Sequence, residues 1–277
     1  MPGTLFLVAT PIGNLSDLGP RAVETLRRVA FIACEDTRRS RVLLRHHGIA
    51  SPTVSLPGFA EKERAGRILD RISLGEDCAL ITDAGSPGIS DPGELIVAEA
   101  IRRGIQVVPI PGPSAVIAAL TASGLPTARF YFVGFLPRKG PERKAALDEV
   151  APLAATLVIY ESPQRLGHTL ADLLAALGDR RACIAREVSK VHEEFVRGTL
   201  SSLLERYREQ EPLGEIVLVV EGRTGAPRWA EEEVKAALRE RLAEGDSLKA
   251  ASAEVAQRSG WQAQAVYRVG LALKART

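Results

Sequence analysis

The sequence is poor in the residues that would cross-link a fold or hold a metal. Its three cysteines stand far apart, each inside an apolar run, with no C-x-x-C pair and no Cys/His spacing typical of a metal site. Nothing in the sequence therefore points to a bound metal. We expect Cys34, Cys78 and Cys183 to be buried core residues of a protein in a reducing compartment.

Long apolar runs are also missing. No stretch approaches the roughly 20 residues that a membrane helix needs, and the N-terminus lacks the basic segment and long apolar stretch of a secretory signal. The sequence contains neither G-x-G-x-x-G after a strand nor G-x-x-x-x-G-K-[ST], so two common nucleotide-binding loops are excluded. We therefore expect a cytoplasmic protein that contacts no membrane.

Charge of neither sign is in excess. With 36 Lys and Arg against 34 Asp and Glu, the net charge is +2, so the chain as a whole carries no basic signal for nucleic acid. Any RNA-binding surface must then be local. The hydrophobic fraction of 45% is ample for a core, and 277 residues predict one large or two medium domains.

What the sequence does contain is an alternation of buried-strand and helix patterns, which is typical of an α/β fold. Residues 1–112 predict an N-terminal α/β domain with a doubly wound sheet, its strands at 5–9, 31–34, 53–55, 78–81 and 106–110 and its helices at 21–28, 39–46, 64–72 and 95–102. Residues 113–225 predict a second α/β domain, with strands at 130–134, 156–160, 182–186, 194–197 and 215–220 and helices at 142–150, 164–177 and 201–207. A linker at 222–227 leads into a helical extension, residues 226–277, with helices at 230–243, 248–258 and 263–274.

A turn-rich loop, TDAGSPGISDPG at residues 82–93, follows the predicted strand at 78–81. Ligands bind beyond the carboxyl ends of strands in open parallel sheets, and glycines let backbone amides approach a ligand closely. The end of the loop is typical of a helix start, with Asp91 as N-cap, Pro92 as first helical residue and Glu94 as the returning acid of a capping box. That assignment leaves Asp83 as the candidate ligand contact. The alternative is a tight strand-to-helix connection that binds nothing.

Two further loops follow strands of the same predicted layer. TPIGNLSDL at residues 10–18 follows the first strand, and PIPGPSA at residues 109–115 leads from the fifth strand into a small-residue helix at 115–121. We expect three loops of this kind, at one edge of one sheet, to line a single crevice.

These loops carry a family resemblance. The chain resembles the tetrapyrrole-methylase superfamily, which uses S-adenosylmethionine, and within it is similar to the 16S ribosomal RNA (cytidine-2'-O)-methyltransferases. The chain has Thr82-Asp83-Ala84 where the tetrapyrrole enzymes usually have Gly-Asp-Pro, and its first loop is poorer in glycine, which favours the RNA branch. The matching segments span most of residues 4–222 in family order: LVATPIGNLSDL, ACEDTRRSRVLL, ITDAGSPGISDPG, PGPSAVIAALTASGLP, FVGFLPRK, YESPQRL, AREVSKVHEEFVRG and GEIVLVVEG.

The resemblance implies two consecutive α/β units of the tetrapyrrole-methylase type with a cofactor cleft between them, followed by a small C-terminal helical domain. It implies that S-adenosyl-L-methionine is the cofactor and that the target is a cytidine of 16S rRNA in the small ribosomal subunit, near the decoding centre. It also implies a homodimer. The residues that the resemblance places around the donor are Pro11, Asp83, Gly85, Ser86, Ser114, Ala115, Tyr160, Glu215 and Ile216.

Methyl transfer to a ribose 2'-hydroxyl benefits from a group that accepts the proton, because the hydroxyl is a poor nucleophile. Ionisable residues follow three of the predicted strands: Glu35 to Arg38, Glu161 with Ser162, and Arg186 with Glu187 and Lys190. We expect Asp36 or Glu35 to handle the proton, with Lys190 as the next candidate. The alternatives are structural: Asp36 caps the helix that follows it, and Lys190 forms an exposed ion pair with Glu187. Arg38, Arg186 and Lys190 are the candidates for phosphate contacts, because Arg binds phosphate oxygens bidentately.

The predicted tail resembles a helix-turn-helix unit. Such a unit would contact RNA through residues that include Lys249 and Arg268. The alternative is a small helical cap that packs on its own core or on a partner subunit, and the mixed charges of the tail favour it. In either case Trp229 and Trp261 are expected to anchor packing rather than to stack on bases.

The sequence is also compatible with two other functions. The first is a methylase of a small tetrapyrrole, which predicts a deep apolar pocket and leaves the helical tail without a task. The second is a catalytically inactive RNA-binding protein, which predicts that the donor does not bind.

Overall fold

The computed structural model describes residues 1–208, 212–224 and 229–274. Within it the chain divides into two compact units, one formed by Met1–Leu147 with Ala155–Glu221 and the other by Asp148–Ala154 with Gly222–Thr277. Residues 225–227 of the linker predicted at 222–227 lie outside the described residues, as do the last three residues of the predicted extension. None of the described helices is long and apolar enough to span a membrane.

The first sheet of the larger unit is parallel and has five strands. They are β1 (Thr4–Val8), β2 (Phe31–Cys34), β3 (Thr53–Ser55), β4 (Cys78–Ile81) and β5 (Gln106–Ile110), in the order β3-β2-β4-β1-β5. Every residue of β2 and β4 is buried, which explains their continuous apolar sequences, because central parallel strands are covered on both faces. Pro109 lies in the edge strand β5, where a missing backbone N–H is tolerated.

Helices cover both faces of this sheet, so the predicted doubly wound α/β arrangement is confirmed. They are α1 (Pro20–Arg28), α2 (Thr37–His46), α3 (Glu61–Ser73) and α4 (Glu94–Arg102). Leu26 of α1 and Leu43 of α2 belong to one apolar cluster, whereas Leu69 of α3 and Ile96 of α4 belong to another. Cys34, Cys78 and Cys183 are buried and unbridged, as predicted.

Helix α4 begins later than its sequence suggests. It starts at Glu94 with Gly93 at the cap position, so the prediction of Asp91 as N-cap and Glu94 as capping-box acid is wrong. Gly93 has φ +145°, which turns the chain away from the geometry that a side-chain cap at Asp91 would require. The cap comes instead from the first turn of α3, where buried Glu61 accepts hydrogen bonds through Oε1 from the amides of Gly93 and Ile96, both at 3.0 Å. A carboxylate at this end also interacts favourably with the helix dipole.

The second sheet of the larger unit is mixed. Its strands are β6 (Phe130–Phe135), β7 (Thr156–Glu161), β8 (Arg181–Arg186), β9 (Glu194–Thr199) and β10 (Ile216–Val220), in the order β6-β7-β10-β8-β9. Only β6 and β7 pair in parallel, and the other neighbours are antiparallel. The helices of this half are α5 (Ala115–Ala122), α6 (Gly140–Val150), α7 (Leu166–Leu177) and α8 (Leu200–Tyr207). The central strand β10 is buried throughout.

The smaller unit contains α9 (Glu231–Ala243), α10 (Leu248–Ser259) and α11 (Ala263–Lys274). Gly260, in the left-handed conformation, ends α10 and lets α11 follow after a short turn. Trp229 and Trp261 both pack against the apolar core of these helices, and the Trp261 indole N–H donates to the Trp229 carbonyl at 2.7 Å. The two tryptophans are therefore packing anchors, as predicted.

Candidate active site

Three loops meet at the carboxyl edge of the first sheet. The loop after β1 is joined to the loop after β4 by two backbone hydrogen bonds between Thr10 and Gly85, with N···O distances of 2.8 and 3.0 Å. The Thr10 hydroxyl also donates to the Thr82 carbonyl at 3.1 Å. The loop after β5 ends at Ser114, the N-cap of α5. The predicted convergence of three loops on one crevice is therefore confirmed.

A cavity of about 360 Å³ lies against these loops, within the range of roughly 300–1,000 Å³ usual for small-molecule sites. The first sheet contributes Ile12, the segment from Ala84 to Asp91 and the start of α5 to its walls. The second sheet contributes residues at and beyond the ends of β6, β7 and β10. The cavity thus lies between the two α/β halves, where the sequence predicted the cofactor cleft. Of the residues predicted to bind the donor, those on its walls are Gly85, Ser86, Ser114, Ala115, Tyr160, Glu215 and Ile216.

Two of the predicted donor-site residues lie elsewhere. Pro11 is buried, and its neighbour Ile12 is the residue of this loop on the cavity wall. Asp83 does not line the cavity either, and its Oδ2 accepts a hydrogen bond from Arg39 at 2.9 Å. The other oxygen of Asp83 is buried without a hydrogen-bond partner.

Aromatic side chains form part of the wall contributed by the second sheet. Tyr160 packs edge-on against Phe132, with ring centroids 5.0 Å apart, and in a tilted contact against Phe135 at 5.5 Å. Burial raises the pKa of the Tyr160 phenol, and the negative charges of Asp91 and Glu215 raise it further. At neutral pH Tyr160 therefore presents a neutral ring and hydroxyl to the cavity.

Backbone strain is concentrated at the cavity. Outside glycine, the residues with positive φ in the described chain are Ser90 at 61°, Glu187 at 49° and Ser189 at 67°. Ser90 lines the cavity, and the other two flank Val188, which also lines it. Such conformations persist only where the surrounding structure imposes them, and they are typical of functional sites.

Lys190 belongs to a small ionic network beside the cavity. Its ammonium contacts Glu187 Oε1 at 2.8 Å and Glu215 Oε2 at 3.1 Å, so the predicted ion pair with Glu187 forms, although it is partly buried. Burial by itself would lower the pKa of Lys190, but the two glutamates outweigh it and raise the pKa above its ordinary value. Lys190 is thus held in the protonated form, which cannot accept a proton.

The two acidic candidates after β2 differ in their contacts. Asp36 is the N-cap of α2 and accepts a hydrogen bond from the Arg38 amide at 2.8 Å, so the structural alternative holds for it. Glu35 does not line the cavity. Burial raises the pKa of Glu35, and the negative charge of Asp83 adds to that rise. Glu35 is therefore an acidic residue of raised pKa close enough to Asp91 for its charge to act on it.

The predicted phosphate contacts are unequally available. Arg38 is exposed on α2, and so are Lys249 and Arg268 in the smaller unit. Arg186 is already engaged, since it contacts Glu194 at 3.2 Å and the Leu213 carbonyl at 3.1 Å. The row of exposed basic residues on α2, a helix that contains no acidic residue, is Arg38, Arg39, Arg41, Arg45 and His46.

Sequence reasoning missed one carboxylate of the cavity. Asp91 lines the wall, and burial raises its pKa to about 6, with further contributions from the charges of Glu35 and Asp83. From its sequence Asp91 resembles a helix cap, because D-P-G-E fits a helix start. Only the remote cap provided by Glu61 leaves the Asp91 carboxylate available, and no local pattern signals that contact.

Comparisons with known proteins agree with this architecture. The family of Tetrapyrrole (Corrin/Porphyrin) Methylases matches residues 4–204 of the chain. The chain is 44% identical over 276 residues to Ribosomal RNA small subunit methyltransferase I of Synechocystis sp., and the match covers 99% of each chain. It is 47% identical over 272 residues to the protein of the same name from Mesorhizobium japonicum, covering 98% of this chain and 92% of the relative.

Among solved structures, the fold is similar to that of uroporphyrin-III C-methyltransferase from Thermus thermophilus in complex with S-adenosyl homocysteine. That similarity has a TM-score of 0.57 at 20% identity and covers 78% of this chain and 97% of the other. At this level of identity the likeness supports the fold alone.

Proposed function

Because the chain belongs to the tetrapyrrole methylase family, we propose that it transfers the methyl group of S-adenosylmethionine to the 2'-hydroxyl of a cytidine in 16S ribosomal RNA. The observation that carries this proposal is the end-to-end match to a ribosomal RNA small subunit methyltransferase, with 44% identity over 99% of both chains. The match includes the helices α9, α10 and α11, which lie beyond residue 204, where the match to the methylase family ends. The extension therefore belongs to the same kind of enzyme.

The cavity suits the proposed donor. S-adenosylmethionine carries a sulfonium cation, and the walls offer the carboxylate of Glu215 together with the rings of Phe135 and Tyr160. Carboxylates attract a cation directly, and aromatic faces attract it through the ring quadrupole. The apolar Ile216 suits the uncharged part of the ligand.

We assign the donor site to the predicted residues that line the cavity, which are Gly85, Ser86, Ser114, Ala115, Tyr160, Glu215 and Ile216. Pro11 and Asp83 contribute to the donor site without lining it. Pro11 positions its neighbour Ile12, and Asp83 pairs with Arg39. Backbone groups of the loops are close to the cavity, so side-chain substitutions at Gly85 and Ala115 test steric access more than lost contacts.

The enzyme's task in such a transfer is to hold the donor methyl and the acceptor oxygen in line at near-attack distance. In this arrangement Lys190 acts as a fixed positive charge that positions Glu215 on the cavity wall. Glu35 and Asp36 lie beyond the wall, where Asp36 orders α2 and Glu35 contributes negative charge.

The RNA is proposed to dock on the basic face of α2. Arg41 and Arg45 line a shallow groove with Pro52 and Thr53, and Arg38 lies on the same helix. Phosphate contacts of this kind position RNA without reading its sequence. Lys249 and Arg268 supply further positive charge from the smaller unit, whereas Arg186 keeps its structural pair with Glu194.

The remaining parts of the proposal concern the setting of the reaction. The substrate is the small ribosomal subunit or a late precursor, the target lies near the decoding centre, and the protein works in the cytoplasm where that subunit resides. We also propose a homodimer. Exposed aromatic side chains on the edge strand β6, at Phe130, Tyr131 and Phe135, support it, because exposed apolar groups on a sheet edge are typical of interfaces.

The proposal is tested by methyl transfer from labelled S-adenosylmethionine to purified small subunits, bare ribosomal RNA and a uroporphyrinogen-type tetrapyrrole in parallel. We expect label in the RNA, at one cytidine whose 3' phosphodiester resists alkaline cleavage. Label in the tetrapyrrole alone would replace the RNA assignment with the tetrapyrrole alternative. Absence of both donor binding and transfer to any of the three would support the inactive RNA-binding alternative. Light scattering of the purified protein reports the dimer.

A further inference from the structure

The cavity wall carries three carboxylates, and two of them are already engaged. Glu161 is buried and accepts hydrogen bonds from the Ser162 amide at 2.8 Å and the Thr169 hydroxyl at 2.5 Å, and it contacts Arg165 at 3.3 Å. Glu215 contacts the ammonium of Lys190 at 3.1 Å. The oxygens of these two carboxylates are therefore already occupied by partners within the protein.

Asp91 is the third carboxylate, and its environment is the opposite. Among the residues that the structure describes, no hydrogen-bond donor or cation pairs with its side chain. Burial raises the pKa of Asp91 to about 6, and the negative charges of Glu35 and Asp83 contribute to the rise. Tyr160 and Glu215, which line the same cavity, add a neutral phenol and a negative charge from the second sheet.

The backbone fixes Asp91 at this place. Ser90 precedes it with φ +61°, a left-handed conformation that costs a non-glycine residue free energy. The Gly88 amide donates to the Pro92 carbonyl at 3.0 Å, which closes the turn around Asp91. Glu61 then holds Gly93 through its amide at 3.0 Å. A turn tied on both sides keeps the carboxylate on the wall.

We propose that Asp91 is the catalytic residue that accepts the proton of the ribose 2'-hydroxyl. This inference rests on the proposed function, and it names as the proton acceptor a carboxylate that the sequence did not suggest for that role. Asp36 is occupied as a helix cap, Lys190 is protonated, and Glu35 lies outside the wall. Asp91 combines a place on the wall with a free carboxylate.

The step balances without a further reactant. The 2'-oxygen forms a bond to the methyl carbon as the sulfur–methyl bond breaks, and the electron pair of that bond stays on sulfur, giving a neutral thioether. The hydroxyl proton passes to an oxygen of Asp91, which releases it to solvent before the next turnover. A carboxylate of pKa about 6 is ionised at neutral pH and still basic enough for this transfer, since the most effective base has a pKa near the working pH.

The test compares Asp91→Asn with Glu215→Gln and with the surface variant Glu205→Gln, which lies exposed on α8. Donor affinity is measured by calorimetry, and single-turnover methylation of small subunits is measured from pH 5 to 9. We expect Asp91→Asn to bind the donor with nearly unchanged affinity and to lose about 10²–10⁴-fold in rate, the usual contribution of a general base. Glu205→Gln should match the parent protein in both measurements.

The pH profile separates proton transfer from a general loss of charge. In the parent protein the rate should fall as pH decreases through about 6, because the protonated carboxyl cannot accept a proton. Asp91→Asn should lose that acidic limb, and Asp91→Glu should keep it at a reduced rate. If Asp91→Asn weakens donor binding as much as it slows transfer, or keeps the parent rate, the assignment of the proton to Asp91 is overturned. If the parent protein itself methylates no RNA while binding the donor, the proposed function fails, and this role fails with it.

Discussion

The cap that joins α3 to α4 gives the sharpest prediction about stability. Glu61 Oε1 accepts two amides, Gly93 and Ile96, at 3.0 Å each, and the residue is 6% exposed. A hydrogen bond to a charged group contributes about 1.5–3 kcal/mol. Both bonds share one oxygen, and water enters when the side chain is shortened, so the two contributions do not add fully. We therefore expect Glu61→Ala to lower the free energy of local opening at the start of α4 by about 2–3 kcal/mol.

Hydrogen exchange measures this opening directly and does not require that the two units unfold together. A loss of about 2–3 kcal/mol corresponds to exchange roughly 30- to 150-fold faster at the amides of Gly93 and Ile96. Glu61→Gln keeps an oxygen acceptor but loses the charge, so its exchange should be intermediate. The donor should also bind more weakly to Glu61→Ala, because the loop that lines the cavity from Ala84 to Ser90 loses its anchor at Gly93.

Glu63→Ala is the matched control. Glu63 lies two residues further along the first turn of α3 and is exposed, so its removal should leave exchange at Gly93 and Ile96 unchanged. Equal acceleration in both variants would mean that negative charge at the start of α3, rather than the two hydrogen bonds, protects α4. Unchanged exchange in Glu61→Ala would refute the cap altogether.

Three further predictions follow from contacts described above. Arg41→Ala should weaken binding to small-subunit RNA and reduce the slope of log affinity against log salt by about 1, with donor affinity unchanged, as titrations at several salt concentrations would show. Asp83→Asn should shift the acidic limb of the pH–rate profile to lower pH, because removal of a negative neighbour lowers the pKa of Asp91; a shift to higher pH would contradict this. The cysteines should resist a thiol reagent in the native protein and react on unfolding, since burial raises the pKa of each and that of Cys78 to about 12.

The elements themselves were predictable from local sequence. β2 and β4 read as continuous apolar runs because both of their faces are covered, and the same runs recur in the structure at the predicted residues. The order of the strands and the antiparallel pairing around β10 were not predicted. They depend on contacts between residues far apart in the chain, which periodicity does not report.

Only those parts of the site that depend on local sequence pattern were predicted. Ser114 and Gly85 were found because the loops that carry them follow recognisable strands, and both line the cavity. The prediction made Asp91 a helix cap and Asp83 the ligand contact. In the structure Asp91 lines the cavity, and Asp83 pairs with Arg39 instead. The contact that decides between them comes from Glu61, 32 residues before Gly93 in the chain. Local pattern cannot reveal a cap supplied from another helix.

The pairing of Thr10 with Gly85 has a consequence for the energetics of binding. Two loops that are hydrogen-bonded to each other before any ligand arrives form a preorganised wall, so the donor spends little of its binding free energy on ordering them. A substitution that separates Thr10 from Gly85 would then weaken the affinity for the donor without removing any contact with it. Part of the affinity for the donor thus depends on two hydrogen bonds within the protein that make no contact with the donor.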